Sequence, residues 1–352
     1  MKSSDYDVHR VATDQRAADF AAGTYKGTAV DNSPPGVVLA GDRRARSGTY
    51  TSREIVADFP FNEVIPSFNV DLPAGTGFVV WLRCRPTGGA RWTRYYYAGT
   101  FSDAGRPEEV HGVDDHGAFK VDCFQSARTF DRLGYRVRMH SDRKAISPRL
   151  VRFSLCYSNT TGDRAIWQSH APKRKRSETG LCRLDVPFRS QQSEDRAVAS
   201  RLCSPTSVSM VLAYHGVEVP TRLVAELAYD REHDLYGNWA RAIQTAHTLG
   251  VSGYVRRFHS LDEAGEVLAE GTPLILSIRA KSGDLPGAPY RETEGHLLVL
   301  TGFNEQGDPL VNDPAGKTPG EGQIHYPRAA LEKAWLQHGG VAYVFSPRVT
   351  DR

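Results

Sequence analysis

The sequence predicts two domains of different class: an all-β, sandwich-like unit, then an α+β unit in which helices, the first of them bearing a cysteine, come before an antiparallel-looking sheet. Three observations carry this. A chain of 352 residues exceeds the roughly 100–200 residues of one ordinary domain. From Gly36 to Tyr157, short runs rich in Val, Phe, Tyr and Arg alternate with Gly, Pro and Asp clusters, which reads as strands and turns. After Leu184, helical spacing of apolar residues comes first and strand-like runs follow, which favours α+β over an alternating Rossmann order.

Composition narrows the function classes. Lys plus Arg number 44 against 41 Asp plus Glu, a formal charge of +3, which does not announce a nucleic-acid partner. Apolar residues make up 40% and charged ones 24%, ordinary for a globular chain, and no apolar run reaches the roughly 18 residues of a membrane span. The first fifteen residues lack the apolar central segment of a signal peptide. The protein is therefore expected either to stay inside the cell or, where a signal has already been removed, to reach the envelope or the outside. The five cysteines, Cys84, Cys123, Cys156, Cys182 and Cys203, are odd in number and scattered, so at least one thiol is free and no zinc site of the Cys-x-x-Cys kind is expected.

Taken in order, residues 1–35 read as a polar N-terminal segment, with a short helix or covering strand over 14–22. Residues 36–158 read as the sandwich-like domain, with strands at 36–39, 48–55, 63–69, 77–83, 92–100, 119–124, 134–140 and 150–156. Alternation is clearest at 78–84 and 135–139, where one side can face a core and the other water. Trp92, Tyr95, Tyr96 and Tyr97 can serve as core and cross-strand packing or as an aromatic platform for a glycan or cell-surface ligand. Residues 159–183 read as a linker, whose basic run Lys173-Arg174-Lys175-Arg176 has no interleaved aromatics and suits a solvated connector better than a nucleic-acid contact.

Residues 184–347 form the second domain, with helices at 204–214, 221–228, 238–249 and 261–269 and strands at 273–279, 296–303, 309–312 and 341–346. Its first helix, CSPTSVSMVLAY, begins with Cys203; Pro205 suits a first turn, Ser204 or Thr206 can cap it, and Val208, Val211 and Leu212 mark a buried face. A thiol there feels the positive end of the helix dipole, which favours the nucleophilic thiolate. His296 opens the apolar strand HLLVLTGF, and the next strand, PLVN, ends in Asp313 after the turn 304–307. Antiparallel pairing of those strands makes His296 and Asp313 neighbours, giving a base and its orienter beside the nucleophile. Gln191 or Gln192, upstream of Cys203, can supply a side-chain amide to an oxyanion, together with the Cys203 N–H. Tyr236, Asn238 and Trp239, between the second and third helices, can form a wall of the substrate cleft, unless Asn238 only caps the third helix.

The segments VPFRSQ, CSPTSVSMVLAYHG, GNWARAIQTAHTLG, EGHLLVLTGF and VNDPAG together resemble the peptidase family thirty-nine-like domain of bacterial cysteine peptidases, over about residues 184–347. That resemblance implies a papain-like fold and carries over Cys203 as nucleophile, His296 as base, Asp313 as orienter and Gln191 as oxyanion amide. Many members have glycine where this chain has Ser204, a position next to the nucleophile that lines the substrate. The segments PSFNVDLPAGTGFVVWLRCR and RWTRYYYAGTFS are similar to the β-rich region that precedes stand-alone members. No P-loop pattern is present, so leader processing during export is not implied. The expectation is a thiol hydrolase acting on a peptide or protein, with no metal or organic cofactor. Acyl transfer of the transglutaminase type and a non-catalytic surface-binding role on the same scaffold are the alternatives.

Overall fold

The computed structural model describes residues 9–41, 46–102, 105, 107, 110–143, 145–161 and 183–347. It divides into two compact units, residues 1–162 and 163–352. The expected linker run at 173–176 and Cys182 lie outside the described residues.

The first unit is built of twelve strands: β1 (His9–Asp14), β2 (Thr24–Lys26), β3 (Thr28–Asn32), β4 (Pro35–Leu39), β5 (Ser47–Thr51), β6 (Ile55–Asp71), β7 (Thr76–Pro86), β8 (Tyr96–Ser102), β9 (Val113–Asp114), β10 (Gly117–Lys120), β11 (Cys123–Ser141) and β12 (Arg149–Ser158), with one short helix, α1 (Ala17–Ala21). The two expected layers are hydrogen-bonded into one network, because the long strand β11 pairs with β6 along its first half and with β5 and β7 along its second, shifting register near Phe130. Bulges of this kind let one strand pass from layer to layer. Rings then meet between strands that share no ladder: Phe68 of β6 contacts Phe101 of β8 at 4.8 Å, and Tyr135 of β11 stacks on Phe153 of β12 at 3.7 Å. This aromatic layer is the core.

Two expectations change here. Residues 9–35 are not a separate polar segment: β1 pairs along β12 from His9↔Ser158 to Asp14↔Phe153, and β2 to β4 extend the network. Its polar text is absorbed by pairing, since buried Asp14 accepts the Tyr135 hydroxyl at 2.8 Å and Arg53 at 3.1 Å. The single strand expected at 119–124 is a hairpin, turned at Val121 with φ 57°.

The second unit holds a six-stranded antiparallel sheet in the order β13 (Val251–Arg257), β18 (Val341–Pro347), β14 (Leu274–Ala280), β15 (Thr293–Phe303), β16 (Pro309–Asn312), β17 (Gln323–His325). Among the described residues six helices accompany it: α2 (Cys203–Tyr214), α3 (Thr221–Ala228), α4 (Trp239–Thr248), α5 (Leu261–Ala269), α6 (Pro319–Gly322) and α7 (Arg328–Leu336). Alternate residues Leu274, Leu276, Ile278, Leu298 and Leu300 turn onto α5 and α7, where Leu261, Leu268, Leu331 and Trp335 close a dry core. Tyr343, of opposite parity to Ala342 and Val344, meets Ser204 of α2, so α2 lies on the other face. From Ser204 to Ala213 every residue of α2 is buried. Its small hydroxyl residues therefore face partners inside the protein and not water: Ser207 donates to the Leu297 carbonyl at 3.1 Å, and Ser209 to the Thr206 carbonyl at 2.8 Å.

Candidate active site

α2 starts two residues earlier than a Ser204 cap would place it. Its N-cap is Leu202, without a capping side chain, and Cys203 is the first helical residue. Pro205 has no N–H to satisfy, and Thr206 N–H already bonds the Leu202 carbonyl at 2.9 Å. The uncapped end thus points its remaining N–H groups and dipole at the part-exposed Cys203 sulfur.

The helix is registered on β15 beside the base. Ser207, one turn after Cys203, holds the carbonyl of Leu297, the neighbour of His296. In the ladder, Val299 pairs with Asn312 and Leu300 with Val311, which brings Asp313 level with Leu298, two residues along from His296 on the same face. His296 Nε2 lies 2.8 Å from Asp313 Oδ1, both buried (6% and 0% exposed), and the imidazole is hydrogen-bonded on its other side to the Cys203 thiol. The structure therefore brings Cys203, His296 and Asp313 into one hydrogen-bonded chain.

The Asp313 carboxylate is saturated. Besides His296 it accepts the Tyr326 hydroxyl at 2.7 Å and the Tyr290 hydroxyl at 3.1 Å on Oδ2, and Ala315 N–H at 3.0 Å on Oδ1. Burial would push this carboxyl up, but the charge and hydrogen bond of His296 and the donors around it hold it below its ordinary value. Burial likewise opposes the imidazolium, and the carboxylate overrides it, raising His296 to about 10. Burial raises the Cys203 thiol; the His296 hydrogen bond and charge, with the N–H groups of Leu297 and Ser204, bring it below the ordinary thiol value. All three shifts favour a thiolate beside an imidazolium at neutral pH. Burial and the adjacent carboxylate raise both tyrosines far above their ordinary value, so they act as neutral donors.

Of the two candidate amides, Gln191 is the buried one and Gln192 is exposed. Gln191 N–H bonds the Pro314 carbonyl at 2.8 Å, next to Asp313, while Asn312 Nδ2 bonds the Val186 carbonyl at 2.8 Å and Ser190 bonds the Gly316 carbonyl at 2.5 Å. These three ties strap residues 186–191 along 312–316 and so bring the glutamine to the orienting aspartate. Its Oε1 is buried and has no hydrogen-bond partner among the described residues.

The expected cleft residues divide. Tyr236 stands beside the segment leading into Cys203: the Arg201 guanidinium lies 5.3 Å from its ring centroid and pairs with Asp234 at 2.9 Å. Trp239 opens α4 and is half-buried. Asn238 is turned inward as the α4 cap, accepting from Arg241 N–H at 3.1 Å and donating to buried Asp230 at 2.8 Å, so its side chain is not a cleft group. Ser204 is also not a cleft group: it is 1% exposed and its hydroxyl lies 3.3 Å from the Tyr343 hydroxyl of the sheet.

Tyr290, Tyr326 and Ser207 escaped the sequence reading. Tyr290 also packs its ring edge-on to His296 at 4.8 Å. No spacing rule points to Tyr290 or Tyr326, which meet the site from different stretches of chain, whereas Ser207 follows Cys203 by one turn of the same helix.

Residues 183–343 match the Peptidase_C39 like family, and residues 10–158 match the Peptidase C39 N-terminal domain. Among solved structures, the chain is similar to a double glycine motif protease from an AMS/PCAT transporter, crystallised with the leader peptide, at 21% identity over 47% of this chain and 94% of that one, with a TM-score of 0.33. It is also similar to the peptidase domain of Streptococcus ComA, a bi-functional ABC transporter of a quorum sensing pathway, at 15% identity over 42% of this chain and 93% of that one, with a TM-score of 0.32. No curated protein matches it.

Proposed function

From the premise that the chain is a cysteine peptidase with a Peptidase_C39-like domain at 183–343, we propose that it hydrolyses peptide bonds through Cys203, His296, Asp313 and Gln191. The reading is carried by the continuous hydrogen bonding from thiol to imidazole to a fully buried carboxylate.

Each group then has one task. The Cys203 thiolate attacks the peptide carbonyl carbon, forming a C–S bond as the C=O electrons move onto oxygen. The Cys203 N–H and the Gln191 amide donate to that oxyanion. The His296 imidazolium, whose Nε2 is held by Asp313, gives the proton of its other nitrogen to the departing amine as the C–N bond breaks, leaving a thioester. Neutral His296 next takes a proton from water, whose oxygen attacks the thioester; the acid leaves and the thiolate–imidazolium pair is restored. Asp313 keeps its charge throughout, held by its tyrosine donors.

The test incubates the full chain with a mixed-sequence peptide library and reads new termini by mass spectrometry. Cleavage is expected for the wild type and absent for Cys203→Ala and for His296→Ala. Cleavage by Cys203→Ala at the wild-type rate overturns the assignment. Added glycine amide appearing in the products in place of water identifies acyl transfer instead.

A further inference from the structure

We propose that the outer face of β2, β5, β11 and β7 binds an acidic polysaccharide whose sugar rings carry carboxylates. The face is a product of strand alternation. On β11, Arg136 and Arg138 turn outward between buried Tyr135, Val137 and Met139; on β7, Trp81 and Arg83 turn outward between buried Val80, Leu82 and Cys84. Register then aligns them in rows across four strands. Thr24, Thr51, Arg136 and Trp81 form one row, and Lys26, Thr49 and Arg138 the next. Together they line a groove of about 480 Å³, within the roughly 300–1,000 Å³ range of small-ligand sites.

The charge of this groove is one-sided. Among the described residues Lys26, Arg136 and Arg138 line it and no carboxylate does. Among the described residues neither Arg136 nor Arg138 pairs with a carboxylate, and Nε of Arg136 and of the adjacent Arg83 are buried without hydrogen-bond partners. Aromatic rings hold the guanidinium groups in place of acids. Arg83 lies 4.4 Å from the Trp92 centroid and 4.9 Å from that of Tyr95, and Arg136 lies 3.8 Å from Tyr95. Stacking fixes the plane of a guanidinium while leaving its N–H fork open, which is the geometry that takes a carboxylate on two bonds. Arg136 and Arg138, two residues apart on one strand face, stand about 7 Å from each other, so successive acid groups of a polymer can be met in turn.

The remaining wall identifies carbohydrate. Thr49 and Thr51 add short hydroxyls of the kind that match sugar hydroxyls, and Trp81 adds an aromatic ring over which the Arg138 guanidinium lies, 5.6 Å from the centroid, so that ring and cation stand together at the wall. Single-stranded nucleic acid would call for a series of open rings on which bases stack. Here the groove holds, among the described residues, two rings and not a series: besides Trp81 it has exposed Tyr25, whose ring lies 5.5 Å from that of Tyr50 and whose hydroxyl is tied to the Phe20 carbonyl at 2.5 Å. The site is independent of the cleavage chemistry proposed above, and its test reads binding alone.

The full chain is titrated calorimetrically with polygalacturonate oligomers, with the same oligomers fully methyl-esterified, with dextran sulfate, and with a single-stranded oligonucleotide of equal charge. Saturable, salt-weakened binding of polygalacturonate is expected, at least about tenfold tighter than the esterified form. The double variant Arg136→Gln/Arg138→Gln loses about tenfold or more, Trp81→Ala weakens binding with the charge intact, and Arg222→Gln on exposed α3 matches the wild type. The arginine variant alters only outward-facing groups, so it keeps the test decisive if Trp81→Ala fails to fold. Equal binding of esterified oligomers, wild-type affinity in the arginine variant, or equal or tighter binding of the oligonucleotide or of dextran sulfate overturns the proposal.

Discussion

Replacing Asp313 by asparagine changes one oxygen of a fully buried group, yet it disturbs both the hydrogen bonding and the charge of the site. The carboxylate accepts four donors, from His296, Tyr326, Tyr290 and Ala315, at 2.7–3.1 Å. An amide keeps one accepting oxygen and sets an NH₂ against donors, so one or two of the four lose their partner, at about 1–3 kcal/mol each. The larger effect is electrostatic. His296 is held charged to about 10 by this carboxylate against burial, so its value drops sharply once the negative charge is gone. Without the imidazolium, burial governs Cys203, and its thiol returns to the ordinary value of about 8.5 or above, where only about 3% is thiolate at pH 7. Iodoacetamide alkylation of Cys203, followed by peptide mapping from pH 4 to 10, reads this directly. The wild-type midpoint lies below that of an ordinary thiol, the Asp313→Asn midpoint moves to about 8.5 or higher, and peptide cleavage falls about 10²–10⁴-fold as the acid–base group is lost. An unchanged alkylation midpoint in a folded Asp313→Asn protein would refute the account of how the thiolate is held. The same linkage sets the pH range of stability. His296 is raised above its unfolded value, so its share is complete below about 6.5 and disappears as pH climbs through about 10. Asp313 and Cys203 are lowered, and their shares fade as pH falls through their folded values.

Other substitutions separate the roles. Gln191→Ala should lower kcat by about 10²–10³-fold, the worth of one oxyanion donor, while the alkylation midpoint stays in place; a shifted midpoint would mean the glutamine acts on the thiol instead. Gly322→Ala puts a methyl 2.1 Å from the Phe188 ring and 2.7 Å from the Asp313 carbonyl, so urea unfolding should show a loss of about 1–3 kcal/mol, and wild-type stability would show that this packing yields freely. Asn238→Ala removes the α4 cap and should cost about 0.5–2 kcal/mol of stability with KM unchanged; a raised KM at unchanged stability would restore it to the cleft. Ser204→Gly, which removes a side chain turned to Tyr343, should leave the kinetics within about twofold; a larger kinetic change at constant fold would place the serine at the substrate.

Local patterns sufficed where the structure is itself local. The order of helices and strands in the second unit comes from apolar spacing, and 221–228 and 261–269 fall where their periodicity places them. The pairing of His296 with Asp313 was readable because a short turn between two apolar runs leaves little choice of register. β13 and α7 escaped, since Val251–Arg257 alternates weakly and Arg328–Leu336 is short and Ala-rich; both form by packing on β18 and β14. The sequence by itself determined the β-rich class of the first unit and the α+β class of the second, and it pointed to a cysteine, a histidine and an aspartate that the structure places in one hydrogen-bonded chain. Only the tertiary structure buried Gln191 and left Gln192 exposed, turned Ser204 and Asn238 inward, drew residues 9–35 into the β unit, and gathered Tyr290 and Tyr326 onto Asp313. The reason is physical. Spacing along a chain says which residues share a face, whereas the direction of a buried polar side chain is set by whichever distant partner satisfies it.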